Sequence, residues 1–330
     1  MNILVTGGAG FIGSHFLLRH VQQQPADSVV VLDALTYAAD KTFLDPIKDA
    51  ITFVRGDIGD FALVTKLVEE HAIDTIVNFA AESHVDNSIV DSAPFLRTNI
   101  LGVQNLIEVI KAHPTIRFLH ISTDEVYGDI EDSDPPRTVG DALWPSSPYA
   151  ASKAAAEMLV MAAIRTYGIH AAVTRCTNNY GPHQAAEKFI PTVIRHALLG
   201  QPVPIYAEGK NKRDWLYVTD HCDALEMILK TQRPLSLDTI SRSEITRDDT
   251  RGKNFFNIAA GNEWQNIDVA KKILEILGKP ESLLTFVADR KGHDWRYCID
   301  SVAIRTLGWK PQVAFDEGLA RTIDWYRSRV

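Results

Sequence analysis

A tyrosine and a lysine four residues apart are the first groups in this chain that could move a proton. Tyr149-Ala150-Ala151-Ser152-Lys153 opens a helical pattern, and i, i+4 spacing puts the phenol and the ammonium on one face. A nearby ammonium is expected to lower a tyrosine pKa from its usual ~10, making a phenolate base available near neutral pH. Upstream, Ser122-Thr123-Asp124-Glu125-Val126-Tyr127-Gly128 sets a hydroxyl beside two adjacent carboxyls. Two such acids can divide donor and acceptor roles if their surroundings drive their pKa values apart.

A third constellation sits at the start of the chain. Thr6-Gly7-Gly8-Ala9-Gly10-Phe11-Ile12-Gly13 follows a short apolar run and opens a helix, with Gly7, Gly10 and Gly13 evenly spaced. Glycines there allow a tight turn and let backbone amides approach a pyrophosphate at the positive helix end. Asp33 ends the second apolar run, twenty residues past Gly13. Its carboxylate is expected to accept ribose hydroxyls and to repel a 2′-phosphate, which favours NAD over NADP. Asp57 and Ile58 are expected near the adenine, with Ala80, Ala81, Ser83 and Thr98 along the path toward the nicotinamide.

The elements that must hold these groups can be read from periodicity. Ile3–Val5, Val29–Leu32, Ile51–Val54, Thr75–Phe79, Phe118–Ile121 and Ala171–Thr174 are short runs rich in β-branched residues. Helical spacing fills the intervals, notably Ala62–His71, Asp91–His113 and the Ala-rich stretch after Tyr149. Strands apolar on both faces and separated by helices predict a doubly wound, parallel-sheet Rossmann domain over residues 1–177. Residues 178–330 predict a smaller α/β substrate-binding domain, some of whose strands and helices return to the main sheet. Its amphipathic helices are expected at Gln265–Leu277 and Phe315–Arg329, and Thr231 to Lys253 reads as a long polar surface loop.

The 330 residues carry a formal net charge of −8, which argues against non-specific nucleic-acid binding. Cys176, Cys222 and Cys298 have no metal-ligand spacing, and an odd count fits no disulfide framework, so inert thiols in a reducing compartment are expected and no metal is. The first residues lack the features of a signal peptide, and no apolar run approaches the ~20 residues needed to span a bilayer. A soluble, cytoplasmic protein is the expectation.

The glycine motif followed by Tyr-x-x-x-Lys resembles the extended short-chain dehydrogenase/reductase superfamily along the whole chain. The Asp124-Glu125 pair after Thr123 resembles, within it, the dTDP-glucose 4,6-dehydratase family. Ala80-Ala81-Glu82-Ser83-His84-Val85-Asp86, Asn178-Asn179-Tyr180-Gly181-Pro182, Glu187-Lys188-Phe189-Ile190-Pro191, Arg213-Asp214-Trp215-Leu216-Tyr217-Val218 and Asp289 through Tyr297 agree with it. The resemblance implies C4 oxidation of a nucleotide sugar by Tyr149, helped by Thr123 and Lys153. Removal of the C5 proton by Glu125, protonation of the leaving 6-hydroxyl by Asp124, and return of hydride to C6 would follow. Arg213, Arg290 and His293 would meet the substrate's phosphates, with Lys188, Asn178 and Asn257 as polar neighbours. Tyr206 would contact the base, and Ser83, Thr123, Phe189, Pro204 and Tyr297 complete the implied substrate set. The helices Asp91–His113 and Tyr149–Tyr167 would form the four-helix bundle of a homodimer.

Three departures bear on substrate choice. Ala185-Ala186 stands where the family commonly has Phe-Pro, Asn87 replaces an arginine common in bacterial members, and the Thr231–Lys253 loop is long. A UDP- or CDP-glucose dehydratase, a related epimerase or decarboxylase, and a non-catalytic NAD-binding scaffold are the competing readings.

Overall fold

Strand β1 (Asn2–Thr6) is apolar on both sides. Ile3 and Val5 point into one cluster with Phe16 and Leu17, while Leu4 points into another with Val64 and Phe118. A strand with two buried faces needs helices above and below it, and parallel pairing with helical crossovers supplies them. The computed structural model, which describes residues 1–231 and 254–329, has this layered arrangement.

Strands β2 (Ser28–Asp33), β3 (Thr52–Arg55), β4 (Thr75–Asn78), β5 (Arg117–Thr123), β6 (His170–Cys176) and β10 (Phe255–Ile258) join β1 in one sheet. Their order is β10-β6-β5-β4-β1-β2-β3, and every pairing is parallel. Helices α1 (Phe11–Gln23) and α8 (Val218–Thr231) cover one face through Phe16, Leu17, Cys222 and Leu225. On the other face lie α2 (Phe61–Glu70), α5 (Val103–Ala112) and α6 (Pro148–Tyr167). The strand order reverses between β1 and β4, and at such a switch point the carboxyl ends open a ligand crevice.

The second half of the chain serves two cores. α8 and β10 return to the first sheet, where Phe255 to Ile258 pair with Val173 to Cys176. The rest encloses Ile190, Val193, Trp215, Ile273 and Leu319, contributed by α7 (Phe189–Leu198), β9 (Lys212–Tyr217), α9 (Asn266–Leu277) and α10 (Phe315–Arg327). β7 (Asn178–Tyr180) and β11 (Glu263–Gln265) flank β9, and β8 (Val203–Tyr206) pairs with β12 (Leu284–Val287). The long polar loop expected from Thr231 to Lys253 lies outside the described residues, apart from Thr231 itself, which ends α8.

One helix differs from its sequence pattern. Where Asp91–His113 predicts a single α-helix, α4 (Ala93–Phe95) passes through a π-helical stretch, Leu96–Gly102, into α5. The π stretch carries the buried Asn99. Its side chain accepts from the Glu82 amide at 2.9 Å and donates to the Glu82 carbonyl at 3.0 Å and to Ser152 Oγ at 2.8 Å. The segment after β4 is thereby tied to α6 beside Lys153. π turns of this kind collect at functional sites.

α6 itself is capped at both ends. The Ser147 hydroxyl accepts from the Ala150 amide, Pro148 takes the first turn, and Gly168 ends the helix in the left-handed conformation.

The turn between β1 and α1 depends on missing side chains. A Cβ on Gly13 would run into Gly7 O and lie 2.9 Å from Gly8 Cα, both backbone, whereas one on Gly10 would meet Gly7 O alone at 3.3 Å. Gly13→Ala is therefore expected to lower folding stability by about 1–3 kcal/mol, the usual cost of overpacking. Gly10→Ala should cost clearly less, because its single close contact asks for a shift of only a few tenths of an ångström. Paired denaturant titrations check this; equal losses would mean that the turn does not press on Gly13.

Candidate active site

The glycine turn and the carboxyl ends of β2, β4, β5 and β6 enclose a continuous cleft. Gly7, with φ +69°, brings its Cα so close to β4 that a Cβ would lie 2.5 Å from Ala80 N. Gly10 faces the open cleft, so its missing side chain makes room for a ligand rather than avoiding the protein. Asp33 is held at the end of β2 by two backbone amides, Ala9 to Oδ2 and Leu35 to Oδ1, each at 2.8 Å. Burial raises its pKa, and those two amides oppose the rise. Phe11, Ile12, Gly13, Asp57, Ile58, Ala80, Ala81, Ser83 and Thr98 line the same cleft. Glycine cradle, fixed carboxylate and small-residue path together fit an adenine dinucleotide.

At the inner end of the cleft stand Thr123, Asp124, Glu125, Tyr149 and Lys153. Thr123 caps the short helix Asp124–Tyr127, its hydroxyl accepting from the Glu125 amide at 3.3 Å and donating to Asp124 Oδ1 at 3.2 Å. The Tyr149 amide donates to Ser88 Oγ at 3.1 Å, which fixes the first turn of α6 against α3 (Val85–Val90). The Lys153 ammonium donates to the Ile121 carbonyl at 2.7 Å.

The electrostatics correct one sequence expectation. Tyr149 is held well above its ordinary pKa, first by burial and then by the Glu125 carboxylate, with only the Thr123 hydroxyl opposing. Lys153 is not among the main influences on it, and the ammonium is directed at Ile121 O. Burial pulls Lys153 itself down to about 8, against the opposing charge of Glu157.

The two acids sit in different environments. Asp124 is raised well above the carboxylate range by burial and by Glu125, and its Oδ2 has no hydrogen-bond partner among the described residues. Glu125 is also raised by burial, but Arg290, Lys188 and Arg213 pull it back. One acid is thus biased toward its protonated form, while its neighbour faces cations.

A family model described as GDP-mannose 4,6 dehydratase matches residues 4–322. A dTDP-glucose 4,6-dehydratase of Mycolicibacterium smegmatis is 44% identical over 99% of this chain and 94% of its own length. One from Haemophilus influenzae is 42% identical, covering 99% and 98%. Among solved structures, a dTDP-glucose 4,6-dehydratase of Streptomyces venezuelae with NAD bound superposes with a TM-score of 0.90 at 42% identity, over 100% of this chain and 98% of that one. An NAD complex of Thermus thermophilus UDP-glucose 4-epimerase reaches 0.87 at only 27% identity, with both chains fully covered. Fold alone does not separate the two activities; sequence does. The chain belongs to the dTDP-glucose 4,6-dehydratase family.

The dehydratase's implied substrate residues divide into three groups. Ser83, Asn178 and Lys188 line the cleft, with Lys188 Nζ donating to Ser83 O at 2.7 Å and Asn178 Oδ1 buried without a partner among the described residues. Arg290 and Tyr206 gather around Asp86 instead, with His293 bonded to Asp289 beside them. Arg290 lies 3.6 Å from the Asp86 carboxylate, Tyr206 donates to it at 3.5 Å, and the Tyr206 and His293 rings meet edge to face. Pro204 sits on β8, two residues before Tyr206.

The third group is committed to packing. Arg213 is buried, donating to the carbonyls of Lys212, Asp294 and Trp295 and lying over the Tyr297 ring. The free bidentate fork expected for a phosphate is therefore not presented, although its charge still reaches Asp124 and Glu125. Asn257 accepts from Tyr127 Oη and donates to Arg137 O, Tyr297 donates to Asp294, and Phe189 stacks on Trp215.

Sequence reading missed Cys176, Thr177, Asn179 and Gln184, which also line the cleft, and Ser88 and Asn99 behind it. A polar residue interrupting an apolar helical pattern, as at Asn99, is the signal that was there to find. Cys176 is buried, and burial pushes its thiol up to about 12, so it stays protonated.

Asp124 supplies a stability prediction. Its folded pKa lies above the unfolded value, so the ionised form destabilises the fold and that penalty grows as pH rises through the interval. Asp124→Asn is expected to be more stable than the parent by about 1–3 kcal/mol at neutral pH, the scale of an unsatisfied buried group. The gap should close as pH falls toward about 4, where the unfolded carboxyl also protonates. Denaturant titrations across pH test this, and a gap that widens on acidification would refute it.

Proposed function

We propose that the protein is an NAD-dependent hydro-lyase that converts dTDP-glucose to dTDP-4-keto-6-deoxyglucose. The observation that carries this reading is the Asp124–Glu125 pair, the first buried and the second half-buried, which lines one cleft with Tyr149 in two unlike electrostatic environments. An epimerase needs the tyrosine and lysine but not two adjacent acids. NAD, when bound, supplies the hydride acceptor at sugar C4, the hydride donor at C6, and a positive ring charge that favours a nearby phenolate. Asp33 takes the adenosine ribose hydroxyls and keeps a 2′-phosphate out.

Tyr149 removes the 4-hydroxyl proton, with Thr123 hydrogen-bonded to the same oxygen and Lys153 holding positive charge behind. The resulting 4-ketone acidifies C5–H. Glu125, kept ionisable by Arg290, Lys188 and Arg213, takes that proton. Asp124, biased toward its acid form, protonates the departing 6-hydroxyl. Lys188, Asn178, Arg290 and His293 hold the diphosphate and sugar, and Tyr206 meets the base. The reaction is redox-neutral overall.

A homodimer is the proposed assembly. α5, its π-helical approach and α6 lie side by side on the sheet face, leaving Leu96, Leu101, Ala162 and Tyr167 exposed. An apolar surface of this kind is suited to a second copy. No helix among the described residues is long and apolar enough to cross a membrane, and a cytoplasmic site of action is proposed.

Two outcomes are expected. In light scattering at micromolar concentration, the mass should be twice the 36.7 kDa of one chain, and a stable monomer would refute the dimer. Glu125→Gln should oxidise C4 but fail in elimination, so reduced-nicotinamide absorbance accumulates while overall turnover falls by ~10²–10⁴, the range of a general-base contribution. Product formed in deuterated water should lose deuterium at C5 in step. Wild-type turnover in this variant would remove Glu125 from the base role.

A further inference from the structure

Arg175 lies outside the cleft and touches no reacting atom, yet it is bonded to both halves of the catalytic machinery. Its Nε and Nη2 donate to the Glu157 carboxylate at 3.0 and 2.6 Å, with side chains 3% and 0% exposed. Glu157 stands one turn beyond Lys153 on α6. The Arg175 Nη1 donates to the Tyr127 hydroxyl at 2.6 Å, and the guanidinium lies 4.7 Å from that ring's centroid. Tyr127 closes the short helix that begins with Asp124 and Glu125. From there the chain of bonds continues through Tyr127 Oη to Asn257 Oδ1 at 2.8 Å, and from Asn257 Nδ2 to Arg137 O at 3.0 Å.

An ion pair this deeply buried is weak evidence of a contribution to stability, because desolvating both charges offsets their attraction. Geometry is what an arginine fork adds. One planar guanidinium can hold a carboxylate on one side and a hydroxyl on another, which a lysine's single ammonium does not do in a fixed plane. The dehydratase reaction needs such a device. Oxidation uses groups on α6, elimination uses groups on the turn after β5, and both must reach one sugar. Misplacement by about 1 Å can cost ~10²-fold in rate.

We propose that Arg175 is a positioning residue that holds the Asp124–Glu125 turn in register with Tyr149 and Lys153, through Tyr127 on one side and Glu157 on the other. The proposal rests on the dehydratase reading. Its two branches can be cut separately. Tyr127→Phe removes only the hydroxyl branch and leaves the Glu157 pair and the ring beneath the guanidinium in place. Arg175→Lys keeps the charge opposite Glu157 and loosens both branches.

In single turnovers of NAD-loaded enzyme with dTDP-glucose, Tyr127→Phe should form reduced cofactor at the parent rate. The decay of that signal, and deuterium entry at C5, should slow roughly 10- to 100-fold. Arg175→Lys should slow both phases. The parent enzyme run alongside carries the functional reading: failure to make 4-keto-6-deoxy sugar there sinks that reading. With parent turnover established, the ratio of the two phases decides the role of Arg175. Equal slowing of both phases in Tyr127→Phe, or parent rates for both phases in either variant, would overturn the proposal. Should Arg175→Lys fail to fold, the phase ratio of Tyr127→Phe decides alone.

Discussion

Everything in the site follows from how closely the first turn approaches the fourth strand. Gly7 has room for no side chain against Ala80, and that approach sets the floor of the cleft at the switch point of the sheet. From it the helix start of α1 is aimed inward, Asp33 is reached by the Ala9 amide, and the ends of β4 and β5 are brought to one rim. Thr123 is the last residue of a central strand, and Tyr149 and Lys153 lie on the first turns of a well-capped helix. Rigid elements deliver them.

Burial controls the chemistry as much as identity does. Tyr149, Lys153, Asp124, Glu125 and Cys176 all move in the direction desolvation dictates, and neighbouring charges then separate them. The family's epimerase neighbours share the overall fold at nearly the same TM-score. What distinguishes the two is therefore carried by side chains rather than by the course of the backbone. At the end of β5, three cations act on Glu125, while Arg213 alone of them acts on the more strongly raised Asp124.

Much of this was legible in the residues. Two-sided apolar runs located the sheet strands, because strands buried on both faces leave little choice of residue. The glycine spacing with Asp33, the Tyr-Lys pair and the Asp-Glu run located the cleft, because each is a local pattern with a local reason. What stayed hidden depends on distant neighbours. The direction of the Tyr149 shift is set by burial and by Glu125, neither of which is a spacing. Arg213 is tied up by carbonyls some eighty residues away in the chain, and Arg175 by groups on two other elements. The π turn at Leu96–Gly102 left only the polar interruption at Asn99 as a trace, because the partners that hold Asn99, Glu82 and Ser152, lie on other segments.

The return of β10 to the edge of the main sheet also orders events during synthesis. When the first 177 residues have emerged, β6 is the outermost strand on its side, with one row of backbone groups still unpaired. The strand that covers it comes only at Phe255–Ile258, after most of the smaller lobe's first elements have been made, and α8, which completes one helical layer, is also late. A nascent chain therefore carries an open parallel edge through a long stretch of translation, the kind of edge that invites wrong pairings. The lobes cannot mature one after the other. The main sheet closes last on the side where it began to wait, and the interleaving that brings both halves of the chain to one cleft also makes their folding a joint event.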